Sequence, residues 1–292
     1  MFKGSIVAII TPFKKGRVDY KTLEDLIEFQ IKNGTSGIVP CGTTGESPTL
    51  TTEEHLKVIE ATIETVKKRV PVIAGTGSNS TAEAIELTKH ASDAGADAAL
   101  VVSPYYNRPT QKGLYLHFKA VANSVDIPII LYNIAARTGV NIETPTVAKL
   151  AHDCKNIVGV KEASGSLDQM QAVRIAAPKD FVLLSGDDAL TLPLLSIGGM
   201  GVISVVANII PADTSKMVEL YLKGKHEEAR KLHLKMIPLI KAMFLETNPI
   251  PVKKAAELMG LAAGDVRLPL CDMEEGNFEK LKKALKEYGL IK

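Results

Sequence analysis

A lysine follows a short apolar run in the middle of the chain, where its amine could act as a nucleophile. Lys161 comes directly after residues 157–160 and is followed by Glu162. Because successive side chains of a strand point to opposite faces, only one of the two can point inward. An inward, desolvated amine could form a Schiff base with a carbonyl substrate. The segment alone favours the simpler interpretation, a strand-end lysine that reaches solvent.

Hydroxyl groups and glycines are concentrated in GTTGES (42–47), after another apolar run. Thr43 and Thr44 supply two hydroxyls, and the glycines leave backbone N–H groups accessible. Such a segment could cradle a carboxylate. An ordinary Gly-Thr turn is the alternative interpretation.

Tyrosines close two further runs. Tyr132 and Asn133 end one of them, and Arg137 follows four residues later; Tyr105 and Tyr106 come after another. A tyrosine can transfer protons, and an arginine can clamp a carboxylate. The alternatives are an interior aromatic with a surface arginine for the first group, and packing at a subunit interface for the second.

Metal and cofactor signals are weak. Asp187 and Asp188 are adjacent in LLSGDD (183–188), but no suitably spaced histidine or carboxylate accompanies them. Helix capping therefore explains them better than metal binding. The six histidines fall in predicted helices without an HxH or HExxH motif, and no P-loop occurs. The sequence predicts neither a metal nor a bound cofactor.

Eight short apolar runs alternate with amphipathic segments and must position these residues. The runs are 5–10, 36–41, 71–75, 98–103, 128–133, 157–161, 181–185 and 202–207. Continuous apolar runs are typical of parallel strands buried on both faces. Eight strand–helix repeats predict an α/β fold, the (β/α)8 TIM barrel, with functional side chains at the C-terminal strand ends. An open doubly wound sheet is the alternative, but its GxGxxG fingerprint is absent from the first loop, TPFKKG (11–16).

Helical spacing predicts helices over 20–33, 52–69 and 80–94. Thr51 and Glu54 predict a capping box before the second of them, and Gly95 a C-cap after the third. Strand signals end near residue 223. We therefore predict a barrel over residues 1–223 that carries the site, and a C-terminal helical segment over 224–292 that packs on it.

Composition excludes several classes of protein. The chain has 35 basic and 33 acidic residues, a balance that argues against nucleic-acid binding. Three cysteines without a CxxC motif favour a reducing compartment over a disulfide framework. No apolar run approaches the ~18 residues of a membrane helix, and the N-terminal run is too short for a signal peptide. We predict a cytoplasmic protein with no nucleic-acid or membrane partner.

Taken in order, the strand-end segments resemble the dihydrodipicolinate synthase family. The resemblance spans almost the whole chain and lies in GTTGES (42–47), AGTGSNSTAEAI (74–85), SPYYNRP (103–109), YNIAARTG (132–139), GVKEASG (159–165), LLSGDD (183–188), GVISVVAN (201–208) and NPIPVK (248–253). The wider group contains other pyruvate-dependent class I aldolases, including N-acetylneuraminate lyase and keto-deoxy-sugar-acid aldolases. These aldolases are the alternative function.

The resemblance implies a reaction without cofactor or metal. Lys161 would form an imine with pyruvate, and the derived enamine would attack the aldehyde of L-aspartate 4-semialdehyde. Tyr132 would donate and accept protons. Thr43 would relay them to Tyr106 of a neighbouring subunit in a homotetramer built from dimers. A non-catalytic barrel that only binds a keto acid would not need this relay.

The resemblance also implies the binding residues. Thr44, Gly186 and the backbone of Ile203 would hold pyruvate, and Arg137 would bind the carboxylate of the aldehyde. The family usually has proline where Ala135 stands, so we expect a looser loop around Arg137.

Some family members are inhibited by lysine at a subunit interface. The chain matches that site at Ser47, His55, Asn79, Glu83 and Tyr105. It has Thr52 where lysine-sensitive members often carry histidine, and Pro48 where they often carry alanine. We therefore predict weak or absent feedback inhibition.

Overall fold

The computed structural model describes residues 2–292, and its centre is a closed barrel of eight parallel strands. Neighbouring strands are hydrogen-bonded in the order 2-1-8-7-6-5-4-3, and a parallel bridge between Ile38 and Val72 closes the ring. This confirms the predicted barrel. The strands are β1 Gly4–Ala8, β2 Gly37–Val39, β3 Ile73–Gly75, β4 Ala98–Val102, β5 Ile129–Asn133, β6 Ile157–Glu162, β7 Val182–Ser185 and β8 Gly201–Ser204.

Both faces of the strands are buried, which explains why the runs are continuously apolar. In β4, Ala98 and Leu100 contribute to the cluster inside the barrel. Ala99 and Val101 contribute to the cluster between the barrel and the outer helices. The strand pleat therefore divides each run between two cores, and a polar residue on the inner face is an exception that needs a reason.

A ring of helices covers the barrel. They are α1 Tyr20–Lys32, α2 Thr52–Val66, α3 Thr81–Asp93, α4 Gln111–Ala122, the short α5 Ala135–Thr138, α6 Thr144–Asp153, α7 Leu167–Ala176, α8 Thr191–Ser196 and α9 Pro211–Leu222. The predicted capping box of α2 is present: Thr51 Oγ1 accepts from the N–H of Glu54 at 3.2 Å, and Glu54 Oε2 accepts from the N–H of Thr51 at 3.0 Å. No helix within residues 2–292 is long and apolar enough to cross a bilayer.

Two predicted helix ends were wrong. Helix α2 ends at Val66 rather than at residue 69, because Lys67 and Lys68 adopt left-handed φ angles of 50° and 59°. Arg69 Nε then donates to the free carbonyl of Val66 at 3.0 Å. The C-cap of α3 is Ala94, and Gly95 follows it with a φ of 93°.

The first and last strands end earlier than predicted because side chains bind the next backbone N–H groups. Asn208 Oδ1 accepts from the N–H of Ile10 at 3.0 Å. Asp188 Oδ2 accepts from the N–H groups of Val205 and Val206, each at 3.0 Å. These N–H groups are thus removed from the ladder. The chain after β8 instead forms a 3₁₀ turn over Val206–Asn208.

A small antiparallel hairpin, Phe13–Lys14 with Arg17–Val18, follows β1. The sequence did not predict it.

Three helices make up the C-terminal part: α10 His226–Ala242, α11 Ile250–Leu258 and α12 Glu275–Tyr288. Helix α10 contacts α9 and α12. Leu281 and Leu285 of α12 are fully buried in the outer core that also contains Ile27 of α1. The barrel and the C-terminal helices therefore share one core.

A buried ion pair joins α11 to the loop after β2. Lys253 Nζ lies 2.5 Å from Glu46 Oε1, and neither side chain is accessible to solvent. The amine also lies 4.0 Å from the centre of the Phe13 ring. The N–H of Arg267 donates to Glu46 Oε2 at 3.1 Å, and its guanidinium forms two 2.6 Å bonds with Glu54. Burial lowers the pKa of Lys253, and the Glu46 carboxylate opposes that shift.

We predict that Lys253→Met reduces the free energy of unfolding by about 3–5 kcal/mol, because it leaves the Glu46 carboxylate buried without its cation. Urea denaturation of the full chain measures the effect. Adding Glu46→Gln to the variant should recover part of the loss, since no buried charge then remains unpaired. Lys223→Met, which removes an exposed i,i+4 pair, is the control and should cost less than about 1 kcal/mol. Equal losses from the two single variants would contradict the prediction.

Candidate active site

Lys161 lies near the C-terminal end of β6 and points into the barrel. Its side-chain neighbours in the register are Tyr132 of β5 and Leu184 of β7, both members of the interior cluster. Lys161 is only 5% exposed, and its Nζ lies 4.1 Å from the centre of the Tyr132 ring. The interpretation that the segment alone favoured, a lysine reaching solvent, was therefore wrong. The barrel wall encloses the amine.

Glu162 occupies the opposite face of the same strand. It is fully buried, and its carboxylate accepts bonds from Asn133 Nδ2 at 3.1 Å, Gln169 Nε2 at 2.9 Å and the N–H of Ser164 at 2.8 Å. These donors lie outside the barrel, on the side of α7. They fix which face of the strand holds the carboxylate and leave the inner face to Lys161.

Of two further predicted residues, Gly186 lies beside this amine and Ile203 lies elsewhere in the interior cluster. The N–H of Gly186 donates to the carbonyl of Glu162 at 2.8 Å. A Cβ at Gly186 would lie 2.6 Å from the Cβ of Ala163 and 3.1 Å from the Cε of Lys161. Only glycine therefore leaves this space beside the amine open. Ile203 of β8 is buried in the interior cluster.

The loop after β2 has two unused N–H groups. The N–H groups of Gly45 and Glu46 donate to the carbonyls of Gly42 and Thr43, each at 3.1 Å. Within residues 2–292, the N–H groups of Thr43 and Thr44 have no protein acceptor. Two adjacent free donors suit a carboxylate ligand, and the binding of one in this loop stays a prediction.

Asn248 connects this loop to Arg137. Its Nδ2 donates to Thr44 Oγ1 at 3.0 Å, and its carbonyl accepts from an Nη of Arg137 at 3.0 Å. Sequence reasoning missed this residue as part of the site. It appeared there only within the segment NPIPVK, because a link to residues more than 100 positions away leaves no local pattern.

Arg137 lies in the one-turn helix α5 and is exposed. The N–H groups of Arg137 and Thr138 both donate to the carbonyl of Ile134 at 3.0 Å, and the N–H of Gly139 donates to that of Ala135 at 2.9 Å. The expected loosening of this loop by Ala135 is not visible in its hydrogen bonds. Ala135 is the first residue of a complete helical turn, where proline and alanine both fit.

A cavity of about 370 Å³ lies at the C-terminal end of the barrel. Thr43, Tyr132 and Arg137 are among its lining residues. Lys161 is not part of the lining, and its amine lies against the ring of Tyr132. The cavity thus brings together three of the predicted site residues, while Thr44, Gly186 and Ile203 lie outside its wall.

The same cavity also contains most of the residues matched to the lysine site. Its lining includes Ser47, Pro48, Thr52, His55, Glu83 and Tyr105. Asn79 is outside the lining, and its carbonyl accepts from Asn107 Nδ2 at 2.8 Å. Burial lowers the pKa of His55 to about 4, so its imidazole is neutral at pH 7. Neither ring nitrogen has a partner among the described residues.

Tyr106 is not brought to the site within one chain. Its side chain is 91% exposed, and its backbone has a φ of 70°. It is absent from the cavity lining, whereas the preceding Tyr105 is present. A large aromatic side chain in this position is typical of a residue that contacts another molecule.

Asp187 and Asp188 differ in what they bind. Asp187 Oδ1 accepts from the N–H of Ala189 at 2.8 Å and caps its own turn, as predicted. Asp188 is buried and binds the chain after β8. In residues 2–292 no three His, Cys, Asp or Glu side chains converge in a way that could hold a metal ion.

Comparison with known proteins extends over the whole chain. The profile of the Dihydrodipicolinate synthetase family matches residues 1–288. The 4-hydroxy-tetrahydrodipicolinate synthase of Endomicrobium trichonymphae is 62% identical over 292 residues, and that of Syntrophus aciditrophicus (strain SB) is 63% identical over 291 residues. Each alignment covers 100% of both chains.

A solved structure agrees with these sequences. The 4-hydroxy-tetrahydrodipicolinate synthase from the thermoacidophilic methanotroph Methylacidiphilum fumariolicum SolV is 53% identical and superposes with a TM-score of 0.98. The match covers 99% of this chain and 96% of that one. Barrel, strand-end segments and full-length similarity lead to one conclusion: the chain belongs to the dihydrodipicolinate synthetase family.

Proposed function

We propose that this chain is a 4-hydroxy-tetrahydrodipicolinate synthase, which condenses pyruvate with L-aspartate 4-semialdehyde. The observation that carries the proposal is the enclosed amine of Lys161, 4.1 Å from the ring of Tyr132 at the C-terminal end of the barrel. Full-length relatives that bear this name support the choice of substrates.

The first stage joins pyruvate to Lys161. The neutral amine adds to the ketone carbon, and loss of water gives an imine. Loss of a proton from the methyl group then gives an enamine. The free N–H groups of Thr43 and Thr44 would hold the pyruvate carboxylate, and the space that Gly186 leaves open would admit the methyl group. The reaction needs neither a metal nor a redox cofactor, because the imine itself accepts the electron pair.

The second stage forms the carbon–carbon bond. The enamine carbon attacks the aldehyde carbon, whose oxygen takes a proton. The amine of the second substrate then attacks the imine carbon, closes the ring and displaces Lys161. Arg137 would bind the carboxylate of the aldehyde, since its guanidinium lies at the cavity and is oriented by the carbonyl of Asn248.

Proton transfer would pass through Tyr132. This tyrosine lies against the amine, and Thr43 lines the same cavity. Because Tyr106 projects into solvent from a single chain, we infer that it completes the relay in a neighbouring subunit. The proposed assembly is a homotetramer built from dimers that exchange this residue.

Two further proposals concern the cellular compartment and the division of the chain into two parts. All three cysteines are free thiols, which supports the reducing environment of the cytoplasm. We also propose that residues 1–223 form the catalytic barrel and that residues 224–292 support it. Asn248 and Lys253, which bind Thr44 and Glu46, support this division of roles.

We predict that borohydride reduction in the presence of pyruvate attaches a reduced pyruvyl group to Lys161. Mass spectrometry of proteolytic peptides identifies the modified residue. Lys161→Ala should abolish the adduct and leave the circular dichroism spectrum unchanged. An unmodified wild-type protein, or an adduct on another lysine, would refute the imine.

The aldehyde is tested separately with the same enzyme. Turnover is measured with pyruvate and L-aspartate 4-semialdehyde, and with pyruvate and an aldose. If pyruvate reacts with the aldose but not with L-aspartate 4-semialdehyde, the enzyme is a sugar-acid aldolase and not the synthase, even if trapping succeeds.

We predict that Tyr106 acts across a subunit interface. Lys161→Ala and Tyr106→Phe subunits carry different affinity tags, are co-expressed, and are purified in two steps as mixed oligomers. Each variant alone should lose about a hundredfold or more in kcat. Each dimer within them that pairs the two variants has one site with both residues intact, so the mixed oligomers should recover activity, up to about half of the wild-type value. No recovery would mean that Tyr106 acts within its own chain, and wild-type activity of Tyr106→Phe alone would mean that it takes no part in catalysis. Tyr115→Phe, at a half-buried tyrosine of α4 that is bonded to Asp153, is the control.

We predict weak or absent inhibition by free lysine. The neutral His55 supplies no positive charge for the carboxylate of a bound amino acid, and Thr52 offers no imidazole. The assay is initial rate against lysine concentration at saturating substrates. Thr52→His should increase sensitivity, whereas the matched Thr52→Ser should not. Half-inhibition of the wild-type enzyme at submillimolar lysine would overturn the prediction.

A further inference from the structure

Asp188 follows β7, but its side chain binds the turn after β8. Its Oδ2 accepts from the N–H groups of Val205 and Val206, each at 3.0 Å. The residue is only 4% exposed. Because the neighbouring Asp187 already caps the turn in which both aspartates lie, Asp188 is not needed for that turn. Its carboxylate instead joins two separate loops at the catalytic end of the barrel.

Few other bonds connect these loops. Strands β7 and β8 pair at only two positions, Leu184 with Gly201 and Ser185 with Val202. After these pairs each strand is followed by its own turn, and the Asp188 carboxylate connects one turn to the other. A change there is therefore transmitted to both turns.

The two turns adjoin two residues that are proposed to contact pyruvate. One begins at Gly186, whose missing Cβ leaves room beside Lys161. The other follows Ile203, whose backbone the resemblance assigns to pyruvate binding. The bonds of Asp188 are formed with the second and third residues after Ile203. Loss of these two hydrogen bonds would let the backbone next to Ile203 move.

The N–H groups at the start of the Val206–Asn208 turn are all bound by side chains. Ser204 Oγ accepts from the N–H of Ala207 at 2.9 Å. Asp188 accepts from the N–H groups of the two preceding residues. In many barrels, N–H groups after the seventh and eighth strands bind a phosphate group of the ligand. Here the Asp188 carboxylate binds the N–H groups instead. Burial raises the pKa of Asp188, while the hydrogen bonds from the N–H groups of Val205 and Val206 oppose the shift.

We propose that Asp188 is a positioning residue for pyruvate. By binding the N–H groups of Val205 and Val206, it holds the backbone after Ile203 and the turn at Gly186 at a fixed separation on either side of the imine. The inference rests on the proposed function, because it assumes that pyruvate reacts at Lys161.

Three variants of the full-length enzyme test the proposal. Asp188→Ala removes both acceptor bonds and should raise the KM for pyruvate about tenfold or more, with kcat at saturation within about threefold of wild type. Asp188→Asn retains an acceptor oxygen and should keep KM within about threefold. Asp187→Asn, in the same turn, retains its capping oxygen and should leave the KM for pyruvate unchanged. The pyruvate concentration for half-maximal borohydride trapping provides a second readout.

Each outcome of this test either supports or overturns the proposed role of Asp188. A KM for Asp188→Ala within twofold of wild type, or an equal loss in the Asn and Ala variants, would overturn the proposal. If Asp188→Ala does not fold, Asp188→Ser takes its place. It keeps one acceptor and should give an intermediate KM, and a wild-type KM would overturn the proposal. Because trapping needs only pyruvate, failure with L-aspartate 4-semialdehyde would affect the proposed function and leave the trapping readout of this test intact. Absence of trapping in the wild type would defeat both.

Discussion

The carboxylate of Glu162 accepts hydrogen bonds from three residues in a fully buried position outside the barrel wall. The remaining geometry of the site depends on this interaction. Because side chains alternate along a strand, a carboxylate fixed on the outer face places Lys161 on the inner face. A register slip of one residue would bury the carboxylate in the apolar interior and move the amine out of it, between the barrel and the helices. The hydrogen bonds to Glu162 therefore orient a residue that they never touch.

Two more buried carboxylates have a related function at the same end of the barrel. Glu46 binds Lys253 and the N–H of Arg267, and Asp188 binds two N–H groups after β8. In each case a loop that follows a strand is held by hydrogen bonds to a buried carboxyl group rather than by the ladder. Burying a polar group is costly unless it is hydrogen-bonded. These loops consequently have few alternative arrangements, as a site that must hold a small keto acid requires.

The C-terminal helices contribute to the site as well as to the core. Asn248 contacts Thr44 and Arg137, which are proposed to hold different substrates. Lys253, five residues later, holds the loop that contains Thr44. A segment that lacks strand signals thus supplies the connection between the two halves of the proposed reaction. The shared outer core gives it a fixed position from which to do so.

The sequence by itself determined the barrel, since burial on both strand faces demands continuous apolar runs, and eight such runs alternating with helices close most simply into a ring. It also determined which segments lie at the C-terminal strand ends, and hence the list of candidate residues. It did not determine the direction of Lys161, because the alternation rule relates neighbours and does not say which face is inside. Nor did it reveal Asn248, the partners of Glu46, or the reach of Asp188 across to the next strand. Those contacts join positions 17 to more than 200 residues apart, and only the closure of the barrel brings them within hydrogen-bonding distance.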